Sequence, residues 1–138
     1  MVAEFEAFDY GHIWTILRLL DQGIIEQKDL HVNIVMGIGG GMPATPKTLI
    51  GAVDMLPKGT HWSAMAPGRE EFAICALAAM MGGNVRVGFE DNVYLSKGVL
   101  AKGNAPIVEK MVRILNDLSL EVASSTEARE MLNIPFRK

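Results

Sequence analysis

Four strand-like stretches, each followed by a helix-like stretch, succeed one another along the 138 residues. The strand-like stretches cover residues 2–8, 31–36, 60–65 and 84–92. A strand-helix repeat of roughly 25 to 30 residues predicts an α/β fold with parallel strands joined by right-handed crossovers. Eight such units close a barrel, whereas four leave two edge strands that a folded protein must cover. Two architectures therefore remain open: a doubly wound sheet that is complete by itself, or half of a (β/α)8 barrel that needs a partner.

Capping signals mark where the helices begin and end. Thr45 and Pro46 suit the N-cap and the first position of the second helix, and Gly82-Gly83 ends the third. Asn104 suits the N-cap of a helix that follows a long loop through residues 94–97. A last short helix begins at Ser124 or the next residue, where the sequence Ser-Ser-Thr-Glu fits a capping box.

Composition and charge limit the class of protein and its partners. Hydrophobic residues make up 49% of the sequence and charged residues 21%, which indicates one globular domain over residues 1–138. The net charge of −3 gives no electrostatic footprint for nucleic acid. The longest apolar run, residues 72–81, is too short to cross a bilayer, and the acidic amino terminus does not resemble a signal peptide. We therefore expect a cytoplasmic protein that binds neither membrane nor nucleic acid.

The stretch at residues 84–92 carries the strongest candidate site. Read as a strand, it places Arg86 and Glu90 on one face with Gly88, whereas the other face carries Val85, Val87 and Phe89. Its end, Glu-Asp-Asn, lies where α/β folds keep their chemistry, at the carboxyl end of a parallel strand. The pattern indicates an active-site edge, and a surface salt bridge between Arg86 and Glu90 is the structural alternative.

Two other features allow a functional and a structural interpretation. The glycine-rich residues 37–41 fit neither nucleotide-binding fingerprint, which leaves a tight loop or backbone N–H groups that face an anion near Thr45. Cys75 lies within a helical pattern without a neighbour that would lower its pKa, so an inert core thiol is favoured over a nucleophile.

Metal-ligand spacing is absent among the histidines of this sequence. His12, His31 and His61 form no His-x-His or His-x-x-x-His pair. Glu90 could supply one oxygen ligand to a zinc ion whose histidines come from elsewhere, and Asp91 could orient a neighbour or act as a base. Glu4 and Glu6 share one face of the first strand, where they are either exposed to solvent or face a cation.

Several segments together resemble the β-keto acid cleavage enzyme family. They are Glu-Phe-Glu-Ala-Phe-Asp-Tyr-Gly-His at 4–12, Gly-Ile-Gly-Gly-Gly-Met-Pro-Ala-Thr at 37–45, Trp-Ser at 62–63, Val-Arg-Val-Gly-Phe-Glu-Asp-Asn at 85–92, Ser-Lys-Gly at 96–98 and Ser-Thr-Glu-Ala-Arg-Glu at 125–130. The resemblance runs through the whole chain but covers only the carboxy-terminal half of the family's sequence. The Arg-x-Gly-x-Glu-Asp-Asn segment is its most distinctive part.

The resemblance implies a fold, a reaction and a set of site residues. It implies strands five to eight of a (β/α)8 barrel, and a zinc-dependent reaction in which a β-keto acid and acetyl-CoA give acetoacetate and a new CoA thioester. Glu90 matches the family's glutamate ligand to zinc, and the other ligands are two histidines of the barrel's second strand. Arg86 matches the residue that holds substrate and intermediate, and Asp91 the one that pairs with and activates this arginine. Glu6, with Glu4 as the alternative, matches an acid near the substrate.

The chain also departs from the family, because it lacks the His-x-His pair, the first-strand acid and the substrate-contacting residues of strands three and four. The leading hypothesis is therefore one half of a truncated or split enzyme. Its strand edges near residues 2–8 and 84–89 would pair with a second copy of the chain or with the missing half. The rivals are a non-catalytic α/β domain that binds a small anion or a partner through Arg86, and a pure assembly module. The leading hypothesis requires the Arg86 guanidinium and the Glu90 carboxylate to point into a shared interior.

Overall fold

A computed structural model describes residues 3–26 and 30–135 of the chain. The elements in chain order are β1 (Phe5–Ala7), α1 (Tyr10–Asp21), β2 (His31–Val35), α2 (Pro46–Asp54), β3 (His61–Met65), a 3₁₀ helix (Gly68–Glu70), α3 (Glu71–Met80), β4 (Asn84–Val85), β5 (Tyr94–Ser96), β6 (Val99–Leu100), α4 (Asn104–Asp117) and α5 (Ser125–Met131). The predicted α/β fold is confirmed, because four parallel strands of one sheet alternate with helices. Val2, where the first strand was predicted to begin, lies outside the described residues.

The four parallel strands lie side by side in chain order, β1-β2-β3-β4. The longest pairing joins β2 and β3 along their whole lengths. One face of the sheet packs against α1, α2 and α3, and this core includes Ala7, Val32, Ile34 and Ala64 from the strands and Ile13, Leu49 and Ile74 from the helices. A doubly wound sheet carries helices on both faces. Such a sheet also reverses its strand order at a switch point, whereas the order β1-β2-β3-β4 has no reversal and so differs from the doubly wound alternative.

The opposite face of the same sheet, here called the polar face, carries hydrophilic side chains. Glu6, Asn33, Ser63 and Asn84 stand at one register across the four strands. Side chains alternate between the two faces along a strand, so the neighbours of these residues are the apolar residues of the core. The polar face is where the candidate site lies.

The predicted helix ends are largely confirmed by the capping contacts. The Thr45 side chain accepts a hydrogen bond from the Thr48 backbone N–H, with Pro46 at the first helical position. Helix α3 ends in a Schellman-type arrangement in which the Gly83 N–H donates to the Ala78 carbonyl. Ser124 and Glu127 form the predicted capping box of α5.

The predicted strand over residues 84–92 is wrong beyond Val85. The Arg86 N–H still donates to the Ala64 carbonyl of β3, but the chain then turns, with the backbone N–H groups of Asp91 and Asn92 both donating to the Gly88 carbonyl. Because these backbone groups are satisfied within the turn, they are not free to extend the ladder with β3.

The long loop predicted before α4 contains secondary structure. Strands β5 and β6 pair antiparallel as a small hairpin. Asn104 is the first residue of α4 instead of its N-cap, which is Gly103. The Asn104 side chain accepts a hydrogen bond from the Phe89 N–H at 2.6 Å, so it braces the turn after β4. A side chain with strong capping propensity is thus used in a tertiary contact.

A second apolar cluster joins α3 to α4 through Cys75, Ala79, Met111 and Leu115. Cys75 is fully buried, and burial raises the pKa of its thiol to about 12. The thiol therefore stays protonated near neutral pH, as an inert core residue does. Among the described residues, no helix combines the length and hydropathy that a bilayer crossing requires.

Candidate functional site

A row of hydrogen-bonded side chains crosses the polar face from β3 to β1. The Ser63 hydroxyl donates to Asn33 Oδ1 at 3.0 Å, and Asn33 Nδ2 donates to Glu6 Oε1 at 3.4 Å. Both Asn33 and Ser63 are buried, so each needs such a partner to offset the loss of hydration. The row ends at Glu6, which is therefore held in place from the centre of the sheet.

Arg86 lies at the centre of a cluster of three carboxylates. Its Nη1 is 2.7 Å from Glu6 Oε1, and its Nη2 is 3.3 Å from Glu90 Oε2. Asp91 is contacted twice, with 3.3 Å from Nε to Oδ2 and 3.5 Å from Nη2 to Oδ1. This two-point contact fixes the plane of the guanidinium as well as its position.

Arg86 and Glu90 are in contact, which the surface salt bridge alternative also predicted, and the contact arises from a turn instead of from the predicted strand. In a continuous strand, residues four apart would be separated by about 13 Å. The turn after Gly88 instead folds Glu90 back toward the guanidinium. The Glu90 side chain remains 85% exposed, so the interior that the two groups were predicted to share is open to solvent on this side. The catalytic and binding roles of these residues stay predictions.

The cluster holds more negative than positive charge. One guanidinium faces the three carboxylates of Glu6, Glu90 and Asp91. Burial raises the pKa of Asp91, the attraction of Arg86 opposes this rise, and the repulsion of Glu90 adds to it. Partial burial by itself would lower the pKa of Arg86, but Asp91, Glu6 and Glu90 outweigh it and raise that pKa. Arg86 therefore carries a permanent positive charge near neutral pH.

A complete metal site is not formed by the described part of the chain. In residues 3–26 and 30–135, no group of three or more His, Cys, Asp or Glu side chains is arranged to hold a metal ion. Glu90 is the most exposed carboxylate of the cluster and could offer one oxygen ligand. The donor set seen here does not by itself fit a zinc site, which takes three or four protein ligands.

A second polar cluster lies at the amino ends of the strands. His31 Nδ1 is 3.2 Å from Glu4 Oε2, and His31 pairs in register with His61. Burial lowers the pKa of His31, Glu4 opposes this change, and His61 adds to it. A pocket of about 520 Å³ runs from this cluster to Arg86, and its far wall is formed by apolar side chains of α4 and α5.

The glycine-rich residues 37–41 form a tight loop. The Gly37 N–H donates to the Met42 carbonyl and the Gly41 N–H to the Ile38 carbonyl. A Cβ at Gly41 would lie 2.6 Å from the Phe8 carbonyl oxygen, so the loop approaches the end of β1 too closely for a side chain. These contacts support the tight-loop interpretation over an anion site.

Glu71 is a buried carboxylate that the sequence analysis missed. It is fully buried, and it accepts hydrogen bonds from the Gly88 N–H at 3.1 Å and from Asn92 Nδ2 at 2.9 Å. An acid next to the apolar run of residues 72–81 was the available signal. An acid in the first turn of a helix is commonly explained by its favourable interaction with the helix dipole. That local explanation gives no indication of the contact between Glu71 and the turn after β4.

Comparison with known proteins adds to this geometry. Residues 1–134 match the family model for beta-keto acid cleavage enzyme. A 3-keto-5-aminohexanoate cleavage enzyme from Acetoanaerobium sticklandii is 45% identical over 131 residues, which is 95% of this chain and 48% of that protein. The protein of the same name from Fusobacterium nucleatum is 44% identical over 95% of this chain and 47% of its own length.

A relative with another activity shows a similar match. A 3-dehydrocarnitine:acetyl-CoA trimethylamine transferase from Rhizobium meliloti is 40% identical over 97% of this chain and 44% of its own length. The chain thus spans about half the length of the curated relatives it matches. With the family match over nearly all of its residues, the chain belongs to the beta-keto acid cleavage enzyme family.

Proposed function

We propose that this chain forms part of an enzyme that converts a β-keto acid and acetyl-CoA into acetoacetate and a new CoA thioester. In this reaction the bond between the carboxymethyl carbon and the β-carbonyl carbon breaks, as does the C–S bond of acetyl-CoA. The carboxymethyl carbon bonds to the acetyl carbonyl carbon, and the remaining acyl group bonds to the CoA sulfur. The observation that carries the proposal is the Arg86 guanidinium, which Glu6 and Asp91 hold at the carboxyl end of the parallel sheet. Relatives named for keto acid cleavage and for acetyl-CoA transfer support the same reaction.

Arg86 would bind the substrate carboxylate and stabilise negative charge that develops during the reaction. Its contact with Glu90 is the one that a substrate can most easily replace, because the Glu90 side chain is 85% exposed. Asp91, whose side chain is 11% exposed, would keep the guanidinium in one orientation through its two contacts. Glu6 contacts Arg86 at 2.7 Å and would complete the substrate-binding side of the site.

The proposal includes zinc, with Glu90 as one oxygen ligand. The described residues offer no complete ligand set, so the histidine ligands would come from the half of the enzyme that this chain does not cover. Binding of Glu90 to a cation would withdraw it from Arg86 and free one edge of the guanidinium for a substrate carboxylate. Zinc content therefore tests this part separately from the role of Arg86.

We also infer that the chain is one half of a (β/α)8 barrel, with strands in the positions five to eight. The consecutive strand order and the packing of α1, α2 and α3 on one face support this inference. Strands β1 and β4 stand at the two edges of the sheet, where a barrel would continue. The matching amino-terminal half is the proposed partner, either as a separate chain or as another part of the same polypeptide.

The test is an assay of acetoacetate formation with acetyl-CoA and a panel of β-keto acids, with and without the amino-terminal half of a relative. We expect activity only with both halves, and a loss of at least about a hundredfold for Arg86→Ala. Arg69→Ala is the matched control, because Arg69 is an exposed arginine that contacts Glu70. Zinc is measured in the same samples by elemental analysis, and Glu90→Gln should lower its content.

The opposite outcomes identify the rival functions. A non-catalytic binding domain would be indicated by two results together: the combined halves form no acetoacetate, and the chain binds a small anion in a way that Arg86→Ala abolishes. Partner binding that Arg86→Ala leaves unchanged, with no activity or anion binding, would indicate an assembly module. An active enzyme without zinc would overturn only the metal part of the proposal.

A further inference from the structure

The turn over residues 88–92 carries two of the three carboxylates around Arg86, so its position decides the shape of the cluster. It lies outside the sheet ladder, because β4 ends at Val85. Glu90 and Asp91 reach Arg86 only because the chain reverses direction after Gly88. Whatever holds this turn therefore sets the distances between the guanidinium and both acids.

Glu71 contacts the turn at both of its ends. One carboxylate oxygen accepts the Gly88 N–H at 3.1 Å, and the other accepts Asn92 Nδ2 at 2.9 Å. Asn92 is buried and is in turn fixed by two hydrogen bonds with the backbone of Tyr94, at 2.8 and 2.9 Å. The Glu71 carboxylate thus spans the turn, and both of its oxygens act as acceptors.

The packing around Glu71 restrains this contact. The residue is fully buried at the first turn of α3, which also packs against β3, β4 and α4. A buried carboxylate is costly unless its oxygens are hydrogen-bonded, so leaving either oxygen without a donor would carry a penalty. Two further hydrogen bonds support the turn from other sides: the Phe89 N–H donates to Asn104 Oδ1, and the Gly68 N–H donates to the Asp91 carbonyl.

We propose that Glu71 is a positioning residue that holds the 88–92 turn, and through it Asp91 and Glu90, against Arg86. Glu71 does not contact Arg86, so it acts through Gly88 and Asn92. The geometric part of this inference is independent of the reaction, whereas its consequence for catalysis rests on the proposed function. A residue with only a structural role would support the stability of the fold without controlling the Arg86–Asp91 contact.

Glu71→Gln separates the two roles with almost no change in volume. Glutamine has one acceptor oxygen, and its amide nitrogen would face one of the two donors, from Gly88 or from Asn92, without accepting its hydrogen. The readout is the NMR resonance of the Arg86 Nε–H, because Nε lies 3.3 Å from Asp91 Oδ2 in the ion pair. We expect Glu71→Gln to shift this resonance away from its position beside Asp91 and toward that of Arg113, which is exposed on α4.

Two controls make the measurement specific. Glu109→Gln makes the same chemical change at an exposed site on α4 and should leave the Arg86 resonance in place. Leu49→Ala removes a fully buried side chain of α2 that belongs to the core, so it destabilises the protein far from the turn. It should lower the melting temperature while the Arg86 resonance stays unchanged.

The inference is overturned if Glu71→Gln lowers the melting temperature but leaves the Arg86 resonance where it was. It is also overturned if Leu49→Ala moves the resonance as much as Glu71→Gln does. If Glu71→Gln fails to fold, Asn92→Ala removes one donor to Glu71 together with both hydrogen bonds to Tyr94, leaves the Gly88 N–H contact of Glu71 in place, and is followed through the same resonance. The absence of acetoacetate formation by the two combined halves would contradict the proposed function without affecting this result.

Discussion

At the scale of single residues, the candidate site depends on the balance of charge around Arg86. Three carboxylates surround one guanidinium, so their mutual repulsion is only partly compensated. The repulsion is screened least by solvent at Asp91, because its side chain is the least exposed of the three carboxylates. Its raised pKa results from burial and from Glu90, against the attraction of Arg86.

Arg86→Ala is therefore expected to raise the pKa of Asp91 further. The substitution removes the one opposite charge that favours the ionised carboxylate, and an adjacent arginine typically changes such a pKa by about 1 to 3. The measurement is a titration of the Asp91 carboxyl carbon by NMR in both proteins. Arg69→Ala should not change this titration. An Asp91 pKa that is unaltered by Arg86→Ala would show that the ion pair does not control this carboxylate.

The same shift predicts the sign of a change in stability with pH. A carboxyl whose pKa is higher in the folded state than its usual 3.8 binds a proton more tightly in the folded protein than in the unfolded chain. The contribution of Asp91 to the free energy of unfolding therefore falls as pH rises from 3.8 through the folded-state pKa. This decrease should be steeper or extend to higher pH in Arg86→Ala than in the wild type.

At the scale of secondary structure, the link between α3 and β4 sets the position of β4 and of Arg86, which directly follows it. Gly82 has a φ of 85°, and the next residue, Gly83, closes the helix on the Ala78 carbonyl. A Cβ built on Gly83 would overlap the ring of Trp62, which is buried in β3. A bulky buried ring cannot move aside as a flexible side chain does. The close approach of the backbone at position 83 to Trp62 therefore requires glycine.

Gly83→Ala is expected to destabilise the protein by about 1–3 kcal/mol, which is the usual cost of forcing extra atoms into a packed site. Gly39→Ala is the matched control, because a Cβ at Gly39 meets no atom within 4 Å. That variant should stay within about 0.5 kcal/mol of the wild type. Urea denaturation of the three proteins measures the difference, and equal midpoints would contradict the predicted overlap.

At the scale of the whole molecule, we propose that the partner covers the pocket beside the polar face. Its walls include the edge strand β4 and apolar residues of α4 and α5. Two of these, Val108 and Met131, are 44% and 48% exposed, although both are large hydrophobic residues. Exposed apolar side chains next to an unpaired strand edge are typical of a surface that another segment covers.

Val108→Glu is expected to prevent association with the amino-terminal half of the enzyme. A carboxylate in this wall would lose its hydration on assembly without a partner for its charge. Ile50→Glu is the control, because Ile50 is 45% exposed on α2, away from the pocket. Sedimentation velocity of the mixed halves should show a complex for the wild type and the control. A wild-type protein that stays monomeric in the mixture at all concentrations would contradict the proposed assembly.

Much of the fold could be predicted because its signals are local. The caps at Thr45 and Ser124 and the glycine pair after α3 are each read within a few residues, and the structure confirms them. The contact of Arg86 with Glu90 depends on the turn after Gly88, which the predicted strand over residues 84–92 did not include. The hairpin of β5 and β6 was missed although the sequence carries a signal for it, because apolar residues at 93–95 and 99–101 flank the turn Lys97-Gly98.

The sequence by itself determined the alternation of the four parallel strands with helices, most of the helix ends, and the charged segment on which the site is built. Tertiary structure alone decided that Glu6 meets Arg86 across 80 residues of chain, that Asn33 and Ser63 support Glu6, and that Glu71 holds the turn after β4. The physical reason is the range of the interactions. Capping and side-chain alternation act between near neighbours, whereas strand register and buried polar contacts exist only once distant segments have packed together.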